Sequence, residues 1–369
     1  MGRWKSRRKY VCLYLPFLIF CFMGIGLLHR NEVVSRTRSA SKLNLHSIME
    51  EYDSTSNRTG QIWNFATSET ETIYLYKTLL TKEHFFNASN LAIFRNELRL
   101  GLGSYFNNNV VIDQQNTPRN YTFTFESKKK SSKKQISDDI HKRLPNNISY
   151  EVIPRCSIVG NSGLILNSTC GNDIDKADFV FRCNAAPLKA FVVDAGSKSN
   201  FTTFNPSILE TRYQKLSQPD NVTRFLNDMK EYRELLWAPC YTAVTMENCT
   251  KVLKLYNLTE NKFVLGYPSH FKKVQEFWKT RGFKKRITTG FYLVNVAISR
   301  CRELHLYGFW PFLQEVDSAI KSVRYHYFEE IKPDLSKVEK VHDMQSEFSV
   351  LLQLHNLGII KIHIGRCNS

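Results

Sequence analysis

Residues 156–187 read CSIVGNSGLILNSTCGNDIDKADFVFRCNAAP, and the texture of this stretch decides the fold. Ser157–Val159 is a short apolar run that ends in the loop Gly160-Asn161-Ser162-Gly163, and Phe179–Arg182 is a second such run. Apolar runs this short, bounded by turn residues, read as buried strands. The same texture continues toward the C-terminus. Phe201–Phe204, Leu235–Ala238, Phe263–Gly266, Leu304–Tyr307 and Ile359–Ile364 read as further strands. Pro219–Glu234, Phe271–Lys279, Thr289–Arg302 and Gln345–Leu357 read as helices between them. Strands alternating with helices predict an α/β domain whose mostly parallel sheet carries helices on both faces. A glycine-bounded loop after such a strand presents backbone N–H groups at the carboxyl edge, where a nucleotide can be held. Gly160–Gly163 is neither G-x-G-x-x-G nor a Walker loop, so on its own an ordinary turn is the simpler reading.

The N-terminal side reads differently. Residues 1–10 carry Arg3, Lys5, Arg7, Arg8 and Lys9 with no acid, and residues 11–28 (VCLYLPFLIFCFMGIGLL) hold no charge over a length at the lower limit for a bilayer span. The basic flank predicts a cytoplasmic tail (1–10), a single-pass transmembrane signal anchor (11–28) and a lumenal or extracellular remainder. A cleaved signal peptide is the rival reading. Against it, no A-x-A-like site follows Leu28, where His29, Arg30 and Asn31 stand instead. N-x-[ST] triplets at Asn57, Asn87, Asn120, Asn147, Asn167, Asn200, Asn221, Asn248 and Asn257 all lie beyond the apolar span, which fits a glycosylated ectodomain. Residues 29–60 are polar and read as a stem, leaving 61–369 as the folded domain. From Thr70 to Leu100 the apolar spacing predicts helices packed on that domain, with a break near Asn87–Asn90. SKKKSSKK at 127–134 reads as a solvated basic loop.

Composition bounds the function. Of 369 residues, 42% are apolar and 23% charged, which excludes a wholly disordered or fibrous chain. The formal net charge of +17 invites a nucleic-acid reading, but residues 1–30 hold six basic residues and no acid, leaving +11 for the rest. No module combines base-stacking aromatics with a basic patch, and the lumenal address argues the same way, so nucleic acid is not an expected partner.

Four segments carry candidate chemistry. Within the first, Asp173-Ile174-Asp175 has the D-x-D spacing that can share a hard cation, although an Asp just before a helix is more simply a cap. The second is RITTGFYLVNVAISRCRELHLYGFW (286–310), where Thr288-Thr289-Gly290 opens an apolar helix and offers hydroxyls and free N–H groups to an anion. Trp310, after a strand at a sheet edge, is either core or a stacking surface for a base. The third is Tyr325-His326-Tyr327-Phe328-Glu329 and the fourth His342-Asp343-Met344-Gln345-Ser346-Glu347. A histidine takes up a proton near neutral pH, and Glu347 at a helix start is placed to hold the environment of His342.

In this order and spacing, the four segments resemble the large, small, third and very small sialylmotifs of animal sialyltransferases, from about Arg155 to Cys367. The phrases C-S-I-V-G-N-S-G, F-V-F-R-C-N-A-A-P, T-T-G-F, L-Y-G-F-W-P-F, Y-H-Y-F-E and H-x-x-x-x-E carry the likeness. F-T-T-F-N-P-S-I-L-E at Phe201–Glu210 and the paired cysteines of the large motif make the chain most similar to the α-2,8-sialyltransferases.

The resemblance implies a GT-A-like variant of the Rossmann fold and CMP-sialic acid as donor substrate, with no cofactor and no metal, so Asp173 and Asp175 lose their metal reading. It implies that Asn161, Asn184, Asn205, Thr288, Thr289, Gly290, Trp310, Tyr325 and His326 surround the donor. His342 matches the catalytic base of an inverting transfer, and His326 would assist the departing phosphate. Cys156 should bond Cys301, and Cys170 should bond Cys367. Cys183 should stay buried and reduced, while Cys240 and Cys249 either pair or stay free. Expected partners are sialylated glycan acceptors on glycoprotein or glycolipid, the Golgi membrane with the catalytic domain lumenal and, as an option, a second copy in a homodimer. The third motif departs from the family pattern at Phe328 and Glu329, which keep shape and charge. Lys272, Lys273, Lys279, Arg281, Lys284, Lys285 and Arg286 occupy the place of the basic strip of polysialyl-forming members. Phe277, Phe283 and Glu276 interrupt it, which favours mono- or oligosialylation over polysialylation. An inactive, membrane-tethered glycan-binding protein on the same fold is the alternative; intact His342 and Thr288-Thr289-Gly290 argue against it.

Overall fold

The computed structural model describes residues 69–108, 110–126, 131–146, 151–256, 262–317, 321–329 and 339–367. The expected tail, anchor and stem lie outside the described residues. Among those described, no helix is long and apolar enough to cross a membrane.

Seven parallel strands form the central sheet: β3 (Ile153–Val159), β4 (Phe179–Arg182), β5 (Phe201–Thr203), β6 (Leu235–Ala238), β7 (Lys262–Leu265), β8 (Cys301–Tyr307) and β9 (Lys361–His363). Each coincides with one of the seven expected runs. Consecutive residues of a strand point to opposite faces, so the burial of Leu236, Trp237 and Ala238, and of Leu304, His305, Leu306 and Tyr307, means that both faces are covered. The α/β expectation holds.

The strand order β7-β6-β5-β4-β3-β8-β9 places the site. The chain winds outward from β3 to β7, then returns to the other flank of β3 to lay down β8 and β9. The winding direction reverses between β3 and β8, and ligands of such sheets gather in the crevice at that reversal. Here the two loops touch. A Cβ on Gly160 would lie 2.5 Å from the Gly308 carbonyl oxygen, and one on Gly308, whose φ is +66°, would lie 2.6 Å from that of Gly160. Only glycine fits at either position.

Helices α1 (Glu69–Leu80) and α2 (Ala88–Leu102) meet the expectation of a helical pair broken near Asn87. Asn87 caps α2 by accepting the N–H of Asn90 at 3.0 Å. Arg95 of α2 donates to the carbonyls of Ile298 and Cys301, closing the end of the helix before β8. The remaining long helices are α3 (Pro219–Met229), α4 (Ala243–Tyr256), α5 (Pro268–Lys279), α6 (Thr289–Ile298) and α7 (Met344–Asn356). The expected helix 289–302 stops at Ile298 because Cys301 already pairs with Ile153 in the sheet. The expected helix 219–234 ends at Met229.

The basic run at 127–134 is not all loop. β2 (Ser131–Gln135) pairs antiparallel with β1 (Thr122–Glu126), whose Phe123 and Phe125 are buried. β2 is held through its backbone and shows polar residues on both faces, so it lacks the apolar alternation by which strands are read.

Both disulfides form as expected, Cys156–Cys301 with Cα atoms 5.9 Å apart and Cys170–Cys367 with 4.9 Å. Cys183, Cys240 and Cys249 are buried free thiols. Asp175 accepts from Ser197 and from the N–H of Lys198, and Asp173 pairs with Lys176. Asn200 is buried, with its amide oxygen on the Val180 N–H and its amide nitrogen on Glu234, so its triplet is closed to glycosylation in the folded chain.

Candidate active site

A cavity of about 250 Å³ opens where the sheet reverses direction. Residues just beyond four strand ends build its floor: Gly160–Ser162 after β3, Cys183 and Asn184 after β4, Asn205 after β5, and Gly308–Pro311 after β8. The first turn of α6 and the segments carrying His326 and His342 complete it. All ten site residues named from the sequence line this one cavity: Asn161, Asn184, Asn205, Thr288, Thr289, Gly290, Trp310, Tyr325, His326 and His342.

The helix start is an anion receptor. Thr288 caps α6 by accepting the N–H of Phe291 at 3.1 Å. The N–H groups of Thr289 and Gly290 lie in the uncompensated first turn, at the positive end of the helix dipole. Glu347 holds this corner: it accepts the Thr288 N–H at 2.6 Å and the Thr288 hydroxyl at 2.5 Å. Glu347 is 5% exposed. Burial pushes its pKa up to about 7, against the opposing pull of the two Thr288 hydrogen bonds. It was expected to serve His342 but grips Thr288, because the first turn of α7 faces the first turn of α6 across the cavity.

His342 is anchored elsewhere. Its Nδ1 lies 2.8 Å from the Arg286 carbonyl oxygen. A carbonyl only accepts, so Nδ1 carries the proton and Nε2 keeps its lone pair. Burial lowers the pKa of His342, the Arg286 carbonyl raises it, and the Arg286 charge lowers it; the net direction is down. At neutral pH the ring is therefore neutral, a base with a fixed tautomer.

His326 is built by the same rule. Its Nδ1 donates to Glu329 at 2.7 Å, and its ring stacks on Phe328 with centroids 5.1 Å apart. Glu329 was read only as a family variant; its i,i+3 spacing from His326 was the signal for the pair. Asn184 has a positive φ of 56° and turns its amide oxygen to the Asn205 N–H at 3.1 Å. Such backbone costs about 1–3 kcal/mol and persists where the surroundings impose it. Trp310 resolves toward the packed alternative, donating to the Gln314 carbonyl at 2.9 Å and meeting Phe312 and Phe348 edge-on. Cys183 lines the cavity, and burial pushes its thiol up to about 12, leaving it a neutral wall. Phe277 and Phe283 do not interrupt the basic strip on the surface: Phe277 is buried, and Phe283 stacks on Phe291 of α6.

Fold and cavity together define a doubly wound α/β protein with its site at the topological switch point. Residues 105–359 match the family model of glycosyltransferase family 29 (sialyltransferase), and the chain belongs to that family. It is 35% identical over 269 residues to alpha-2,8-sialyltransferase 8F of Pan troglodytes, covering 70% of this chain and 65% of that protein. It is 32% identical over 241 residues to alpha-N-acetylneuraminide alpha-2,8-sialyltransferase of Xenopus tropicalis, covering 63% of this chain and 67% of that one. The aligned region thus spans slightly under two thirds of the length of the first of these relatives. Among solved structures, a mammalian sialyltransferase shares 22% identity over 80% of this chain and 86% of that chain, with a TM-score of 0.43.

Proposed function

We infer that the chain transfers sialic acid from CMP-sialic acid to the 8-hydroxyl of a terminal sialic acid on a glycoprotein or glycolipid glycan. The observation that carries this reading is the convergence of the ten motif residues on one cavity, with an anion-receptive helix start and a tautomer-fixed His342 in the same wall. Family membership and the names of the α-2,8 relatives supply the reaction class.

In this reading, Nε2 of His342 removes the proton of the acceptor hydroxyl as that oxygen attacks the anomeric carbon. The carbon–oxygen bond to the CMP phosphate breaks on the opposite face, so configuration inverts. The leaving phosphate takes the electron pair and is met by the N–H groups of Thr289 and Gly290, donors fixed before reaction. His326, oriented by Glu329, stands in the same cavity to assist the leaving group. The transfer is read as metal-independent, since Asp173 and Asp175 are engaged by Lys176 and by Ser197 and Lys198. Mono- or oligosialylation is supported by two cations of the basic strip being neutralised, Lys273 by Glu276 and Arg281 by Glu97. Two disulfides fit the oxidising lumen, and the chain is read as a type II Golgi membrane protein.

The test is transfer of labelled sialic acid to an α-2,3-sialylated galactoside and to its unsialylated parent, with and without EDTA. Transfer to the sialylated acceptor alone, unchanged by EDTA, is expected. Transfer to the unsialylated parent would refute the α-2,8 reading, and loss with EDTA the metal-free mechanism.

A further inference from the structure

Phe201–Glu210, the segment that carries the α-2,8 likeness, gives the cavity only Asn205. It continues into a short helix (Ser207–Thr211) that ends on Arg212. Arg212 is half-buried and does not itself line the cavity. Its guanidinium reaches two groups that stand directly behind the lining. One nitrogen donates to the Ala185 carbonyl at 2.9 Å, and the guanidinium carbon lies 5.1 Å from the ring centroid of Phe328. Ala185 follows the cavity residue Asn184. Phe328 is the ring on which His326 stacks, their planes 14° apart.

The two ends of this bridge differ in how firmly they are held. At the loop end, the Tyr232 and Tyr327 hydroxyls donate to the carbonyls of Ala186 and Pro187 at 2.8 and 2.9 Å, and Glu231 accepts the Leu188 N–H at 2.7 Å. Asn184 and Ala185 have φ of 56° and 41°, a left-handed conformation that residues other than glycine keep only where neighbours impose it. With three side-chain bonds besides its own, this loop is a fixed anchor for Arg212. The ring end is looser. Glu329 fixes the Nδ1 edge of His326, but the tilt of the ring is set by what lies against its faces, Tyr325 at 4.5 Å and Phe328 at 5.1 Å. Phe328 is itself only half-buried, with Arg212 over its face.

We propose that Arg212 is a positioning residue for the donor side: anchored on the Ala185 carbonyl, it holds the Phe328 ring and, through that ring, the tilt of His326. The proposal rests on the transfer reading above, in which His326 meets the leaving phosphate, and adds the group that fixes its ring. A cation within about 6 Å of an aromatic centroid is attracted by the ring face. A guanidinium can lie against that face and still direct an edge N–H to a carbonyl, because its donors lie in its own plane. The compact ammonium of a lysine does both less well. Tyr327 keeps the third motif docked on Pro187 when Arg212 is replaced, so the loss falls on ring orientation rather than on the fold.

The experiment is a double-mutant cycle on the full chain in detergent, with Arg212→Ala and His326→Ala made singly and together. It reads CMP affinity by calorimetry and kcat for transfer to an α-2,3-sialylated galactoside. Arg212→Ala should lower kcat by about tenfold to a hundredfold, the scale of a misplaced group, and weaken CMP in parallel. In the His326→Ala background the same change should cost less than about threefold in either quantity, because the group it acts through is gone. Phe328→Leu, which keeps Arg212 on Ala185, should reproduce the loss. Arg212→Lys should recover part of it, and Arg224→Ala on the exposed face of α3 should change neither quantity. Losses that add in the double variant, or full kcat in Arg212→Ala or Phe328→Leu, would overturn the proposal. If Arg212→Ala does not fold, Phe328→Leu takes its place in the cycle. Absence of CMP binding in the wild type would overturn the proposal together with the donor reading. A non-additive cycle in CMP affinity, combined with transfer only to unsialylated galactoside, would leave Arg212 in its role and refute the α-2,8 reading instead.

Discussion

The protein holds two groups of histidines, and only one is built to react. At the carboxyl edge of the sheet, His342 and His326 are half-buried, each with Nδ1 tied down and each lining the cavity. On the far flank, along β8 and β9, His84, His305, His355 and His363 pack together. His305 and His363 share a hydrogen bond of 3.0 Å, His84 and His355 stack 4.5 Å apart, and Tyr307 stacks on His363 at 4.2 Å. Burial, with neighbouring positive charge, pushes His305 down to about 3, His363 to about 2 and His355 to about 4. These rings fill space as neutral aromatics. One ring nitrogen is anchored in both groups, as in His84 on the Ile360 carbonyl and His355 on the Ile362 N–H; what separates them is that His342 and His326 line an open cavity.

The sharpest way to break the comparison is to delete one histidine from each group. His342→Ala should lower kcat by about 10²–10⁴-fold, the usual contribution of general base catalysis, with little loss of stability. His363→Ala should keep kcat within a few-fold at pH 7 and lower the unfolding midpoint instead. Comparable losses of kcat in both variants would dissolve the distinction.

Next in size is Glu347, which sets the anion-receptive helix start. Glu347→Ala should reduce transfer by about tenfold to a hundredfold through misplacement of Thr288, Thr289 and Gly290. CMP affinity, measured by calorimetry, should fall in parallel; unchanged CMP binding would show that Glu347 does not position the donor side.

The flank histidines should reveal themselves in acid. Their folded pKa values lie below the ordinary 6.5, so the unfolded chain takes up protons that the folded chain refuses. Stability is therefore full above that value and falls as pH drops beneath it, by up to about 1.4 kcal/mol per pH unit for each such histidine. Urea unfolding between pH 7.5 and 5 should show a shallower pH slope in the double variant His305→Gln, His363→Gln than in wild type. Identical slopes would mean that these rings are not held neutral.

The smallest effect expected is a null. Glycopeptide mass spectrometry should find Asn200 unmodified, because both ends of its amide are bonded inside the fold. Occupancy there would place β5 differently.

The sequence made the sheet legible because its strands are buried on both faces and appear as uninterrupted apolar runs, as at Leu235–Ala238. β2 was illegible because backbone pairing holds it and Lys133 and Lys134 stay polar. The site residues could be named through the resemblance to the sialylmotifs, and their convergence follows from the reversal between β3 and β8, which no local pattern encodes. The grip of Glu347 on Thr288 crosses 59 positions and depends on two helix starts meeting. The role of the Arg286 carbonyl was equally hidden, since a backbone atom carries no residue signature.

The most direct test of the central claim is the pH dependence of kcat/KM for transfer to the sialylated galactoside, from pH 5 to 8, in wild type and His342→Ala. Wild type should lose activity in acid with an apparent pKa below 6.5, as burial and the Arg286 charge require, and the variant should show a residual rate without that limb. An acid limb that survives unchanged in His342→Ala, at an undiminished rate, would contradict the assignment of His342 as the base.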